Sequence, residues 1–284
     1  MVIFTKLINE DPSKKMEKQY PARLHVLIAR HSEKAIVIRR GPSKHTCVLG
    51  WDRKKNTFEV SQWFKGRIYE RRSDIAPSGK YWIYFAMNGH WKSEAKGSWT
   101  AIARTPWLKA ISLFSKGDCW NGGGMFLSDH SYWLNDGYGH ESMLDRAEVK
   151  RDKNYPPSNQ YGGECLNVYY NRLQRDEWVM KSVEKSEAIF EKNLPQNWVL
   201  RKICHAQIGS PIGKGCYWDE HEVLNHSGKQ FIFPEWEWAD WADDSIYFAK
   251  QGCLYKLNIS KDIGKPELLH NFNEYKFKHK QAPY

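Results

Sequence analysis

Residues 73–85, SDIAPSGKYWIYF, are the stretch that decides the fold. They read as a short strand, a polar turn through Pro77 and Gly79, and then a strand rich in aromatic residues. Residues 123–134 (GGMFLSDHSYWL) and 238–248 (WADWADDSIYF) follow the same plan. A unit of short strands that recurs along a chain is typical of a β-propeller, in which each unit forms one blade.

The chain of 284 residues is therefore predicted to be an all-β propeller, with five blades as the best fit to the spacing and four or six as alternatives. The predicted parts are an N-terminal segment 1–19, blades at residues 20–66, 67–118, 119–186, 187–234 and 235–275, and a basic C-terminal tail 276–284. Residues 136–161 are polar and rich in Gly, Asn and Pro, which predicts one long inserted loop. Long loops on a rigid scaffold often carry binding residues.

Helical periodicity is scarce along the chain. Only residues 141–150 and 177–192 show helical spacing, and residues 178–183 fit a strand equally well. Residues 166–171 contain Val and two Tyr and are predicted as a strand.

The stretch SDIAPSGKYWIYF also resembles the blade motif of TolB-like and WD40-like β-propellers. In that motif a small or acidic residue ends the inner strand, and a glycine turn leads into the second strand. The sequence departs from the WD40 pattern because it lacks paired Gly-His and Trp-Asp signatures at regular intervals. The resemblance implies a disc whose faces bind other molecules, and it implies no particular activity.

Charge is unevenly distributed along the sequence. The net charge is +10, residues 1–80 hold 18 basic and 8 acidic side chains, and residues 219–244 hold eight acidic side chains against one Lys. A closed ring places the first blade beside the last, so part of this charge is expected to pair between blades. The remaining positive charge fits a partner with an acidic surface, either a protein or a nucleic acid.

No run approaches the roughly 18 consecutive apolar residues of a membrane span, and the first residues lack the apolar region of a signal peptide. A cytoplasmic protein with no membrane partner is therefore predicted. The six Cys residues are spread without a CxxC pair, which predicts reduced, buried thiols. The sequence contains neither a Walker loop nor a GxGxxG fingerprint, and no cofactor is predicted.

Arg67, Arg71 and Arg72 are the first candidates for binding, because planar guanidinium groups suit carboxylates and phosphates. The alternative interpretation is a strand face on which these arginines pair with Glu70, Asp74 and the acidic last blade.

A second candidate is Asp118 with Trp120, which could form a platform for a sugar or a cation. His90 and Trp91 belong to a separate aromatic set, most of which is expected in the core and of which any exposed members would mark an interface. The three glycines at residues 122–124 either let the backbone approach a ligand or form a tight turn between blades.

Cys204, His205, Cys216 and His221 belong to the residue types that bind zinc. Adjacent residues on a strand point to opposite faces, so Cys204 and His205 are poorly placed for one ion and no metal site is predicted.

The preferred prediction is a non-enzymatic propeller that holds an acidic protein or a nucleic acid on its disc face. The alternative is a glycan hydrolase, in which Asp74, Asp136 and Asp240 would supply carboxylates at the central channel as acid and base.

Overall fold

The structure, a computed structural model, describes residues 20–41, 44–146, 148–157, 161, 165–207, 209 and 211–284. Over these residues the chain forms five small sheets in a ring, which is the predicted five-bladed β-propeller. The predicted N-terminal segment 1–19 lies outside the described residues.

Most strands pair antiparallel with their neighbours in sequence. The first sheet contains β1 (Arg23–Ile28), β2 (Lys34–Arg40), β3 (His45–Asp52) and β4 (Thr57–Lys65). The second contains β5 (Arg67–Ile68), β6 (Asp74–Ile75), β7 (Tyr81–Met87), β8 (Ser98–Arg104), β9 (Ala110–Ser115) and β12 (Glu141–Asp145). The third contains β10 (Gly124–Phe126), β11 (Ser131–Leu134) and β13 (Lys150–Arg151).

The last two sheets lie in the C-terminal half. The fourth sheet contains β14 (Val179–Val183), β15 (Glu187–Leu194), β16 (Trp198–Ala206), β17 (Tyr217–Leu224) and β18 (Gln230–Phe233). The fifth contains β19 (Trp238–Ala242), β20 (Ser245–Lys250), β21 (Cys253–Leu257) and β22 (Glu267–Asn271). The three repeated units therefore supply β6 and β7, β10 and β11, and β19 and β20, as predicted.

The predicted inserted loop at residues 136–161 contains two strands. β12 pairs antiparallel with β9 at the edge of the second sheet, and β13 pairs parallel with β11 in the third. The prediction of a helix at residues 141–150 is wrong, because the backbone there uses the donors and acceptors that the edge of β9 leaves open.

One α-helix, α1 (Leu166–Arg175), occupies a segment in which a strand was predicted at residues 166–171. The helix buries Val168, Tyr169 and Leu173 against the third and fourth sheets. Packing thus overrides the strand preference of Val and Tyr. A helix at residues 177–192 is wrong as well, and the alternative of a strand at residues 178–183 is confirmed, since β14 and β15 cover most of that segment.

Apolar clusters between successive sheets close the ring. Ile36 and Trp82 belong to the cluster that joins sheets one and two, and Ile83 and Phe126 to the cluster that joins sheets two and three. Met125 and Trp133 of the third sheet pack against α1. The helix and sheets four and five share one cluster, and sheets five and one share another. Each interface buries large apolar side chains, and this burial stabilises the ring.

Strand direction defines the two ends of the ring. The backbone N–H of His31 donates to the carbonyl of Pro77 at 2.9 Å, so β1 and β6 finish at the same end. The turns that follow β7 and β9 therefore lie at the opposite end, beside the start of β1.

Candidate functional site

Three loops meet at the end of the ring where β1 begins, and we call residues 88–97, 116–123 and 135–140 the loop face. The Ser98 hydroxyl donates to the carbonyl of Asp118 at 2.6 Å, which joins the first two loops. The Lys116 ammonium lies 5.2 Å from the centre of the Tyr138 ring, which joins the third loop to the second. Four of the predicted binding residues lie on this face: His90, Trp91, Asp118 and Trp120.

The loop face displays large aromatic side chains to solvent. Trp91 is 52% exposed, Trp120 is 59% exposed and Tyr138 is 75% exposed. The structure describes all 14 Trp residues of the chain. Only Trp91 and Trp120 are exposed, and the other twelve are buried or half-buried. Exposed Trp side chains are unfavourable in water, so their concentration at one end of the ring marks a surface for a partner.

Local geometry holds both tryptophans in place. The Trp120 backbone N–H donates to the Asp118 carboxylate at 2.8 Å. The Trp91 ring packs on Gly97, where an added Cβ would lie 2.6 Å from that ring. The loop face is therefore preorganised, which lowers the entropic cost of binding.

Arg72 supports the Trp120 loop from inside the protein. Its guanidinium donates to the carbonyls of Cys119, at 2.7 Å, and of Asn121. Gly123 has a φ of +74°, and an added Cβ would lie 1.9 Å from the Arg72 carbonyl oxygen. The glycines thus form the tight turn between blades that was one of their two predicted roles.

The burial of Arg71 and Arg72 corrects the expectation that they lie on an exposed face. They are 8% and 2% exposed, whereas Arg67 is exposed and lies 4.4 Å from the centre of the Tyr69 ring. The physical reason is the short 3-10 helix at Glu70–Arg72, which turns both side chains inward after β5.

Arg71 belongs to a buried group in the centre of the ring, the channel plug, whose members are His25, Arg71, Tyr169, Arg172 and Asp219. The Asp219 carboxylate accepts from the Tyr169 hydroxyl at 2.7 Å and pairs with Arg71 at 3.1 Å. Arg172 contacts the His25 ring nitrogen at 3.1 Å. Burial opposes the ionised form of Asp219, but Arg71 and Lys202 outweigh it and hold its pKa well below the ordinary value.

Charge also pairs between blades, as the polarised sequence predicts. Arg53 of the first blade lies 3.2 Å from Asp243 of the fifth. Arg40 pairs with Glu70 at 3.2 Å. Burial raises the pKa of Glu70, but Arg40, Arg67 and Arg71 together lower it to about 2. Arg40, Arg53 and Arg71 of residues 1–80 are therefore each paired with an acidic side chain of another blade.

Two cavities lie on either side of the channel plug. The channel cavity has a volume of about 420 Å³ and lies where β1, β6 and β19 end. The second cavity has a volume of about 360 Å³ and lies where β1 and β17 begin, on the side of the loop face. Tyr169 borders the first cavity, and Arg71 and Asp219 border the second.

The three carboxylates of the hydrolase alternative do not converge. Asp74 and Asp240 line the channel cavity, while Asp136 lies on the loop face. Each is paired with a base: Asp74 with Arg175, Asp240 with Lys192 at 2.6 Å, and Asp136 with Arg151 at 2.8 Å. Burial raises the pKa of Asp136 and Asp240, but these partners hold both below the ordinary value.

The four zinc-type residues are also separated. Cys204 and His221 are buried on one face of the fourth sheet, Cys216 is exposed, and His205 stacks on Trp218 with ring centres 4.5 Å apart. Within the part of the chain that the structure describes, no three His, Cys, Asp or Glu side chains group to hold a metal ion. All six cysteines are free thiols, and the exposure of Cys119 and Cys216 corrects the expectation that all are buried.

Sequence reasoning missed several residues of these sites. Tyr138 was part of a predicted loop without a pattern of its own, and Lys202 reads as an ordinary polar position of a strand. Tyr169 was assigned to a strand at residues 166–171 and Arg172 follows that predicted strand, whereas both residues lie in α1. Helical spacing places Tyr169 and Arg172 three residues apart on one face, and this is the signal that could have found them.

Comparison with known proteins gives no family assignment. No family model matches the chain, and no curated protein matches it. Among the residues described here, no helix is long and apolar enough to cross a membrane.

Proposed function

We propose that this protein is a non-enzymatic binding module that holds an acidic protein partner at its loop face. The observation that carries the proposal is the exposure of only two of 14 Trp side chains, Trp91 and Trp120, on neighbouring loops. Trp and Arg are the residues most often responsible for binding energy at protein interfaces. The resemblance to TolB-like and WD40-like propellers, whose faces bind other molecules, supports the same role.

The charge beside the tryptophans favours an acidic protein over a nucleic acid. Arg67, Lys65 and Lys92 are exposed. Lys92 follows Trp91 in sequence, and Arg67 pairs with Met87 at the end of β7, where the first loop begins. Lys96 and Lys116 are paired with Glu141 at 2.6 Å and Asp118 at 2.9 Å. A few exposed cations complement a short acidic segment, whereas nucleic acid binding uses a longer basic stripe that neutralises many phosphates.

The contacts of the three hydrolase carboxylates favour binding over catalysis. A general acid on a glycan needs a carboxyl whose pKa is raised toward neutrality. The pKa values of Asp136 and Asp240 are lowered, and Asp74 is held by two guanidinium nitrogens of Arg175.

We also propose a reducing location, the cytoplasm. The six free cysteines support it, because thiols that include two exposed ones persist best in a reducing compartment.

The double variant Trp91→Ala/Trp120→Ala tests the loop face. We expect the protein to bind members of an array of acidic peptides, and the variant to bind the same peptides at least 10-fold more weakly, because each anchor contributes about 1–2 kcal/mol. Fluorescence anisotropy with labelled peptides measures the affinity. Both side chains are exposed, so the melting temperature should change little.

Ile232→Ala/Leu268→Ala is the matched control, since both residues are large, apolar and exposed on outer strands of other blades. The control should bind like the unmodified protein. Equal binding by the tryptophan variant, or a preference for a single-stranded oligonucleotide over every acidic peptide, would refute the proposal.

A further inference from the structure

The channel cavity has the size of a small-molecule site. Its volume is about 420 Å³, and pockets for small ligands start at about 300 Å³. Its walls come from sheets one, two, four and five and from α1. Most of the lining therefore lies on strands and on α1, which the packing of the ring fixes, and turn residues such as Arg30, Asp176 and Asp243 complete it.

The cavity contains more basic than acidic side chains. Six bases line it: Arg30, Arg53, Arg172, Arg175, Lys192 and Lys202. Five acids line it: Asp74, Asp176, Glu177, Asp240 and Asp243.

The acids are mostly engaged by bases of the cavity wall. Arg175 holds Asp74 and Asp176, Lys192 holds Asp240, and Arg53 lies near Asp243.

Two buried cations remain without a carboxylate partner. Lys202 is 1% exposed, and its ammonium donates to the carbonyl of Ala239 at 3.1 Å. Arg172 is 5% exposed, and its guanidinium contacts the carbonyls of Glu70 and Ser73 and the ring of His25. Among the described side chains, no acid forms an ion pair with either group.

The two acids that act electrostatically on Lys202 already serve other groups. Asp219 is bound by Arg71 at 3.1 Å and by the Tyr169 hydroxyl at 2.7 Å, and Asp240 is bound by Lys192 at 2.6 Å. Burial accordingly lowers the pKa of Lys202 below its ordinary value. A buried positive charge without a counter-ion is costly, and an anion in the cavity would offset that cost.

The rest of the wall suits a ring that carries hydroxyl groups. Trp241 is half-buried and is part of the cavity wall, and Asp240 and Lys192, which also line the cavity, offer an acceptor and a donor. Aromatic surface next to paired polar groups is suited to a sugar ring, whose faces are apolar and whose edges carry hydroxyls.

We propose that the channel cavity binds a sugar-sized organic anion, with Lys202 and Arg172 holding its carboxylate or phosphate group. This site lies beyond the channel plug from the loop face, and it does not require the function proposed for that face. It uses Asp74 and Asp240 as parts of the wall and not as acid and base.

Isothermal titration calorimetry with glucuronate, glucose 6-phosphate, inorganic phosphate and uncharged glucose tests this site. We expect glucuronate or glucose 6-phosphate to bind, the stronger of the two identifying the anionic group, and glucose to bind at least 10-fold more weakly. Failure of both anions to bind, or equal binding of glucose, would overturn the proposal.

Lys202→Met removes the buried charge while it keeps a flexible side chain of similar length. Its affinity for the preferred anion should fall at least 10-fold. Lys250→Met is the control, since Lys250 pairs with Glu235 at 2.9 Å away from this cavity. Unchanged anion binding by Lys202→Met would assign the lysine to structure alone.

Trp241→Ala provides a second measurement should Lys202→Met fold poorly. This variant should bind the sugar anion at least fivefold more weakly, and its affinity for inorganic phosphate should be unchanged. Equal loss for both probes, or no loss for either, would contradict the proposed placement of the ring on Trp241.

Discussion

Glu237 lies at the second cavity, where its carboxylate accepts a hydrogen bond from the backbone N–H of Leu24 at 3.1 Å. Burial raises its pKa from 4.5 to about 7, although Arg23 and Arg40 act in the opposite direction. In the unfolded chain this carboxyl ionises near its ordinary value. The folded protein therefore binds the proton of Glu237 more tightly, and the contribution of Glu237 to the free energy of unfolding should fall as the pH rises from about 4.5 to about 7.

The variant Glu237→Gln should remove this dependence. At pH 8 it should be more stable than the unmodified protein by about 1–3 kcal/mol, and at pH 4.5 the two should be similar. Urea denaturation at both pH values measures the difference. The neighbouring control Glu235→Gln should not stabilise at pH 8, because the Lys250 partner favours the ionised form of Glu235. A Glu237→Gln variant with an unchanged pH profile would contradict the assignment.

Individual arginines show how far the sequence predicts a site. The residue types of Arg67, Arg71 and Arg72 indicate anion binding equally well, yet only Arg67 is exposed. Whether a side chain points outward depends on the 3-10 helix after β5 and on Asp219, a partner far away in sequence. Such a pairing has no local pattern, whereas the exposed Trp120 follows from its place in a polar turn.

Secondary-structure elements differ in how well their patterns predict them. The units that form β6 and β7, β10 and β11, and β19 and β20 combine a turn signal with aromatic strands, and all three were predicted. The segment of α1 lacks such a turn, and its Val-Tyr-Tyr run favours a strand until the packing of Tyr169 and Leu173 is known. Element prediction therefore succeeds where local and tertiary preferences agree.

The turn that enters β10 depends on Gly123. Its φ of +74° and the 1.9 Å approach of an added Cβ to the Arg72 carbonyl predict that Gly123→Ala lowers the free energy of unfolding by about 3 kcal/mol or more. Gly228→Ala is the control, because its φ is +79° and no atom lies within 4 Å of the added Cβ. The free energy of unfolding of the control should fall by only about 1 kcal/mol. Equal losses in chemical denaturation would show that the close approach does not matter.

The ring as a whole depends on α1, which fills the space between the third and fourth sheets. Arg175, near the end of this helix, holds both carboxylate oxygens of Asp74 and donates to the Phe126 carbonyl at 2.9 Å. Arg175→Ala leaves Asp74 buried and unpaired, so it should lower the free energy of unfolding by about 3–5 kcal/mol.

Arg201→Ala is the matched control for this ring contact. Arg201 pairs with Glu191 and Glu222 inside a single sheet, and its side chain is 27% exposed. The free energy of unfolding of the control should fall by about 1 kcal/mol or less. If urea denaturation gives the two variants the same stability, the link from α1 to the second and third sheets is not a major support of the ring.

The channel plug turns what would be a pore into two separate chambers. With Tyr169 and its ionic neighbours across the axis, a solute that enters from one end has no direct route to the other. Ligands at the two ends would then bind independently. Their binding free energies would add unless one ligand displaces the Tyr169 ring. The Tyr169–Asp219 hydrogen bond and the cations around it lie between the two ends, and β1, which borders both cavities, is a second connection between them.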